Sequence, residues 1–516
     1  MSEWMRTLAD HYESIKQAYP HDKLIILFDI DGTILDMRYM ILSVLRSCDR
    51  HHGTCYFKNL RIPDITIHES NMKKFIQEIV PEPQERHIIN DWCMRHFWST
   101  SAILESHRPF SGVMEVIRWF QIQPNTFVGL NTGRPDFIRR DTLHSLNRIG
   151  RQYKVHFDEN LIFMNSDGWD SNIPQVKSAG IQFFRDAGYR VFAFIDNEPD
   201  NLGIVPDIDP DNEILLLHAD TIFNSKRIRI PSNAISGTSY DITELITEDT
   251  IPSHIQFVWH GSNNSENLKQ FFNSNVTWAE FTVCLDAMRE SIILHDDVLD
   301  HVQRPYGEDC ISLEELLIYF LDSKKSIKLD VKENGQLIDK LIELLRHFRF
   351  NDTRLWFSGK IEVLKENGFR TIAERFPGSI LQCPIDYMAP LIESVPSRAL
   401  SLLDTFSDWG INRFSLSWKT PNLHRVLDKL DTWGFEANIY NLPDLESFLK
   451  AVLLFPTSVT TDFTFLRWSQ RNDHPVYYGD NHGHLPGAVS GSVNGVSDRH
   501  NGHNSPDIKT IQARSL

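Results

Sequence analysis

Asp29-Ile30-Asp31-Gly32-Thr33 follows directly on the apolar run Leu24-Ile25-Ile26-Leu27-Phe28. Two carboxylates two residues apart at the tip of such a run cost solvation energy unless a cation or a proton compensates them. Taken alone, the five residues also suit an acidic strand-to-loop corner with a glycine turn. Three further segments bear on the choice. Thr126-Phe127-Val128-Gly129-Leu130-Asn131 ends in Thr132-Gly133-Arg134-Pro135, a hydroxyl followed by a glycine, which suits close approach of a phosphate oxygen. Lys177 opens an amphipathic helix from Val176 to Ala187, just after the breaker Pro174. Val191-Phe192-Ala193-Phe194-Ile195 runs into Asp196-Asn197-Glu198-Pro199-Asp200, an acidic tip that is a poor structural cap and a good hard-cation site.

The elements that must position these groups are short, buried parallel strands, because apolar runs of this length ended by polar residues have that signature. Ligands of open α/β sheets gather at the carboxyl ends of such strands. Each candidate residue lies at a strand end or a helix start.

In order, Asp-x-Asp-Gly-Thr, Thr-Gly-Arg, Lys and Asp-x-x-x-Asp resemble the haloacid dehalogenase superfamily of phosphohydrolases, over roughly residues 20 to 245. The resemblance implies that Asp29 is the nucleophile and forms an aspartyl-phosphate. Asp31 would protonate the leaving oxygen and then deprotonate the attacking water, Thr132 would hydrogen-bond the phosphoryl oxygens, and Lys177 would neutralise charge. Mg²⁺ would be held by the Asp29 side chain, the Asp31 carbonyl and Asp196, with Asp200 a ligand through water or an orienting group. An acid at Asp31 argues for phosphoryl transfer, since a carbon–halogen hydrolase has no alkoxide to protonate.

The segment from Asp36 to about Glu105 has helical periodicity and looks like the mobile cap of this superfamily. Arg46, Arg50, Lys58, Arg61, Lys73 and Lys74 lie within it. They either meet a second anionic group of the substrate or form ordinary solvated helix faces.

Residues 225 to 253 lose the strand–helix rhythm and gain Ser, Thr, Pro and Gly, which reads as a linker. Beyond it come eight short apolar runs: Ile255–Trp259, Trp278–Leu285, Ser326–Val331, Thr353–Phe357, Ile380–Cys383, Arg413–Trp418, Phe435–Tyr440 and Ser458–Asp462. Helical patterns such as Leu313–Leu321, Leu337–Phe348 and Leu423–Trp433 lie between them. The alternation suits a TIM-like (β/α)8 barrel, somewhat short of the usual ~250 residues. Trp259-His260-Gly261, Trp278-Ala279-Glu280-Phe281-Thr282, Leu294-His295-Asp296 and Lys328-Leu329-Asp330-Val331-Lys332 are similar to the glycerophosphodiester phosphodiesterase superfamily, including its menorin-like branch, over roughly residues 254 to 468. That resemblance implies His260 and His295 as general acid and base and Glu280 and Asp330 as metal ligands. Thr282 replaces one family carboxylate, and no arginine follows His260. A hydroxyl is a poor substitute for a carboxylate at a hard cation. Diester hydrolysis by the barrel, or a ligand-binding or scaffold barrel attached to the phosphatase, are both open.

The expected fold is therefore α/β: a haloacid-dehalogenase-type Rossmannoid parallel sheet with its helical cap at 36–105 within residues 1–245, then a barrel over 246–470. Residues 471–516, rich in Gly, Asn, His and Ser, read as a disordered tail. Its His482, His484, His500 and His503 either bind metal or are simply solvated. A net charge of -17 argues against nucleic acid as the main partner; the phosphohydrolase resemblance implies a small phosphorylated substrate. Six cysteines without a paired framework read as reduced thiols, hence a cytoplasmic chain. No amino-terminal signal and no transmembrane run of roughly 20 apolar residues is legible.

Overall fold

The computed structural model describes residues 4–461 apart from 169–171, 222–228, 261–264, 287, 289 and 296–311. The tail at 471–516, with its histidines, lies outside the described residues.

Six parallel strands make the first sheet: β1 (Lys23–Phe28), β2 (Thr126–Pro135), β3 (Ile162–Asn165), β4 (Tyr189–Asp196), β5 (Leu215–Ala219) and β6 (Ala234–Gly237), in the order β3-β2-β1-β4-β5-β6. The apolar run of β1 is explained by burial on both faces. Leu24, Ile26 and Phe28 join one apolar layer, while Ile25 and Leu27 join the other with Ile181 and Phe184, as the two-residue period of a strand requires. β2 and β4 flank β1, so three of the polar tips are neighbours by construction. The chain order reverses between β1 and β4, where doubly wound sheets open their binding crevice.

Between β1 and β2 the chain forms helices Met37–His52, Met72–Ile79, Pro83–His96 and Thr100–Ser106, which meets the expectation of a helical cap. Asp36 caps the first by accepting from the Arg38 N–H. The helix bearing Lys177 spans Ile173–Asp186, so it begins three residues earlier than periodicity suggested. Pro174 sits in its first turn, where a missing N–H goes unneeded, and opens the helix instead of breaking it.

The linker reading of 225–253 needs correction. Ala234–Gly237 pairs in parallel with β5, and Ile242–Leu245 is a short helix with Ile242 and Leu245 buried. Its small-residue composition mimics a loop because Gly237 lies against the Trp4 indole, where any β-carbon would collide with the ring. The short helix packs against helices Trp4–Ala18, Val113–Gln121 and Leu445–Leu453.

The second half is a closed parallel barrel of eight strands: β7 (Gln256–Trp259), β8 (Trp278–Leu285), β10 (Ser326–Val331), β11 (Leu355–Ser358), β12 (Ile380–Pro384), β13 (Arg413–Ser417), β14 (Glu436–Leu442) and β15 (Ser458–Thr461). β15 pairs with β7 and β10 with β8, which closes the ring. All eight expected runs are barrel strands. A ninth strand, β9 (Ile292–His295), runs antiparallel on β8. Inside, Val258, Trp278 and Trp356 form a compact apolar cluster with Ile380 against it, a filled core and not a pore.

One apolar core runs continuously from the sheet layer through Ile242, Leu245, Ile246 and Ile251 into the barrel. Arg118 Nε donates to the Leu453 carbonyl at 3.2 Å, and Lys154 pairs with Asp428 at 2.9 Å across the same seam. No helix among the described residues is long and apolar enough to cross a membrane.

Candidate active site

Asp29 and Asp31 leave the tip of β1, Thr132 lies near the end of β2, Lys177 is in the first turns of helix Ile173–Asp186, and Asp196 ends β4. Lys177 is 1% exposed, and its Nζ lies 2.5 Å from Asp29 Oδ1 and 2.9 Å from Asp196 Oδ2. It also donates to the Asn131 carbonyl at 2.6 Å, while Asn131 Nδ2 returns a bond to the Lys177 carbonyl at 2.8 Å. The lysine is thus tied to the end of β2 as well as to both carboxylates. Gly180, one turn on, lets the helix lie this close, since a β-carbon there would strike the Asn131 amide.

Burial pushes the Asp29 carboxyl up to about 7; Lys177 opposes the rise, and Asp196 and Asp31 add to it. Burial works against the Lys177 charge too, but Asp196 and Asp29 outweigh it and its affinity for a proton is raised. Asp196 is fully buried and held on every side: the Glu198 N–H donates to Oδ1 at 2.8 Å, and Asn201 Nδ2 reaches both oxygens at 3.0 Å. Asp200 lines the cavity, whereas its neighbour Asn201 does the holding of Asp196.

Arg134 is 1% exposed and forks onto Asp31, Nε to Oδ2 at 2.7 Å and Nη2 to Oδ1 at 2.6 Å. Its remaining nitrogen donates to Thr142 Oγ1 at 3.0 Å, His107 Nε2 lies 3.2 Å from Nη2, and the guanidinium stands 5.0 Å from the Trp98 ring centroid. Burial and the charge of Arg134 push His107 down to about 2, so it buttresses as a neutral ring. Thr132 Oγ1 accepts from the Arg134 N–H at 3.2 Å.

Asp29, Asp31, Thr132, Arg134, Lys177 and Asp200 line one cavity of about 440 Å³, whose cap side is built from His68, Glu69 and Trp98. None of the cap cations Arg46, Arg50, Lys58, Arg61, Lys73 or Lys74 lines it; Arg46 and Arg50 border a different cleft with Tyr39 and Leu42. His68 Nε2 lies 3.1 Å from Glu198 and 3.3 Å from Glu69. Burial opposes charge on His68, but the two glutamates outweigh it and its proton affinity is raised. Burial lifts Glu69 to about 7, with His68 opposing and Asp31 adding.

Asp29 and Asp196 converge within one ammonium's reach in a buried pocket, and the Asp31 carbonyl lies on the same tip. Two carboxylates, a carbonyl and water are chemistry that fits Mg²⁺. Among the described residues no group of three or more His, Cys, Asp or Glu side chains is arranged for a metal ion; Asp29 and Asp196 bring only two such side chains, and the Asp31 carbonyl would be the third protein ligand.

The barrel brings its candidates to one end as well. Asp330 stands in register with Thr282, Thr282 with His295 on β9, and the His260 N–H donates to the Thr461 carbonyl at 3.0 Å. The His295 side chain lies outside the described residues. Glu280 pairs with buried Lys328 at 3.0 Å, and Asp330 with Lys332 at 2.6 Å. Burial raises the Asp330 carboxyl, with Lys332 opposing. At Thr282 a hydroxyl stands beside the two carboxylates, and a hydroxyl is a poor ligand for a hard cation.

Sequence reasoning quoted Arg134 without a role and missed Asn131, Asn201, His107, His68, Glu69 and Trp98. Arg134 was marked by its place in Thr132-Gly133-Arg134; the cap residues carry no spacing signal.

No family model matches the chain, and no curated protein does. Solved structures of two kinds are similar to it. A glycerophosphodiester phosphodiesterase from Agrobacterium tumefaciens is 13% identical, with 40% of this chain and 95% of that one covered and a TM-score of 0.29. An Oleispira antarctica phosphodiesterase in complex with the product sn-glycerol-3-phosphate is 15% identical, covers 41% and 94%, and has a TM-score of 0.31. A provisionally assigned phosphatase from Clostridium difficile is 15% identical, covers 44% and 99%, and has a TM-score of 0.31.

Proposed function

We propose that the first half of the chain hydrolyses a small phosphomonoester through an aspartyl-phosphate on Asp29. The observation that carries the reading is the convergence of Asp29, Asp31, Thr132 and Lys177 from neighbouring strand ends on one cavity. Asp29 attacks phosphorus, which divides one difficult displacement into two easier ones. Asp31 gives a proton to the leaving oxygen, and for that it must be protonated and the Arg134 fork, which now engages both its oxygens, must open on one side. Asp31 then takes a proton from the water that attacks phosphorus and frees Asp29; such proton transfer contributes about 10²–10⁴-fold. Thr132 donates to a phosphoryl oxygen, and Lys177 offsets the charge gathered on Asp29 and the phosphoryl group. Asp29, Asp196 and the Asp31 carbonyl would hold Mg²⁺, with Asp200 acting through water, and the ion when bound supplies neutralisation of phosphoryl charge.

The test is p-nitrophenyl phosphate hydrolysis by the full-length protein with Mg²⁺ and with EDTA. Turnover that needs Mg²⁺ and vanishes in a folded Asp29→Asn variant supports the reading; turnover retained by that variant sinks it.

For the barrel, the Thr282 hydroxyl in the place of a carboxylate, in register with Asp330, favours a ligand-binding or scaffold role over metal-dependent diester hydrolysis. Hydrolysis of bis-p-nitrophenyl phosphate that survives Asp29→Asn and is lost in His260→Ala would reverse that preference.

A further inference from the structure

We propose that the cap selects phosphomonoesters whose alcohol carries a cationic nitrogen, such as amino-alcohol phosphates, and that Glu69 is the residue that recognises it; the inference rests on the phosphatase reading of the same site. The charges around the cavity are unequal. Among the described lining residues the permanent cations are Arg134 and Lys177, and both are committed, the first to both oxygens of Asp31 and the second to Asp29 and Asp196. No lysine or arginine of the cap reaches the cavity, and the one basic cap group there, His68, is taken up by Glu69 and Glu198.

The groups that the cap and the loop after β4 bring instead are Glu69 and Glu198, with a single imidazole, His68, shared between them. Glu69 Oε2 is a buried atom that accepts no hydrogen bond, although the His68 ring stands 3.3 Å away. The His68 contact with that oxygen falls short of a hydrogen bond, and a bound ammonium would complete it. Trp98 supplies an aromatic wall that already holds one cation, Arg134, 5.0 Å from its centroid. Carboxylate and indole together are the chemistry that recognises a substituted ammonium. A substrate carboxylate in the same place would meet Glu69 and Glu198 with no free positive partner. The cavity of about 440 Å³ has room for a phosphate and a short alcohol.

Three substrates differing at one end decide the matter: O-phosphoethanolamine, 2-hydroxyethyl phosphate and 2-phosphoglycolate, with a cationic, neutral and anionic terminus. For the full-length protein with Mg²⁺, kcat/KM should fall in that order by about tenfold per step. In Glu69→Gln the preference for the cationic over the neutral member should shrink to about threefold or less. Phosphoglycolate turned over as well as phosphoethanolamine, or a preference unchanged in Glu69→Gln, overturns the proposal. If neither these esters nor p-nitrophenyl phosphate is hydrolysed, the phosphatase reading fails by itself. Calorimetric binding to the full-length Asp29→Asn variant then still decides the cap's preference. Tighter binding of phosphoethanolamine than of phosphoglycolate supports it, and the reverse overturns it.

Discussion

Each half of the molecule buries a lysine against acidic side chains, and the two pairings differ in kind. Lys177 bridges Asp29 and Asp196 beneath an open cavity, so its charge is held where an anionic substrate can arrive. Lys328 pairs with Glu280 at 3.0 Å, also opposes the rise of the Asp330 carboxyl, donates to Thr460 Oγ1 at 3.2 Å and stands 4.7 Å from the centroid of Trp356. Arg413 stands 4.5 Å from that same ring and pairs with Glu436 at 2.6 Å. The barrel cations are thus engaged with one another's partners across a filled interior. One buried ammonium is shared by two acids beside a cavity, and the other sits between acids and an aromatic ring within a filled interior.

The largest expected effect breaks the first pairing at its reactive end. Asp29→Asn should lower phosphomonoester turnover by at least about 10³-fold with the circular dichroism spectrum unchanged. Next, Lys177→Met strands two buried carboxylates and should cost about 3–5 kcal/mol in denaturant unfolding as well as abolishing turnover. Lys328→Met should cost toward the low end of that range without changing monoester turnover, and adding Glu280→Gln should restore most of the loss. Loss of monoester turnover in Lys328→Met would erase the contrast between the halves.

Arg134→Lys keeps a charge but not the fork, and should lower kcat by about 10–100-fold through misplacement of Asp31. The smallest effect concerns acid. His107 binds a proton at about pH 2 in the folded chain against 6.5 for an ordinary histidine. Between those values only the unfolded chain is protonated there, so stability rises with pH through the window and is complete above it. Raised carboxyls at Asp29 and Glu69 act in the opposite sense, so the His107 share is read by difference: on going from pH 7.5 to pH 5 in urea unfolding, the wild type should lose about 2 kcal/mol relative to His107→Asn.

The strand tips were legible because an acidic residue or a hydroxyl ending an apolar run stands out against burial. Asp29, Thr132 and Asp196 lie at or beside the ends of neighbouring strands and Lys177 near a helix start, and the eight barrel strands lie where apolar runs recur. The cap side of the cavity was not legible. Glu69 opens a single 3-10 turn, Glu69–Asn71, and His68 caps it, so no periodicity marks either residue. Cap cations with helical spacing drew attention instead, and the fold turns Arg46 and Arg50 toward another cleft. At 225–253, composition was a poor guide because a strand or helix of four residues, Ala234–Gly237 or Ile242–Leu245, cannot display a period.

That four-residue helix, wedged among helices from the amino terminus, the sheet layer and the barrel, ties the thermal behaviour of the halves together. Cutting the chain after residue 245 would not release two modules. It would leave Ile246 and Ile251, both buried, facing solvent on one fragment, and would part helix Leu445–Leu453 from helix Ile242–Leu245, which packs on it. Heating the intact chain should therefore give one calorimetric transition, and the fragments expressed apart should clump unless produced together.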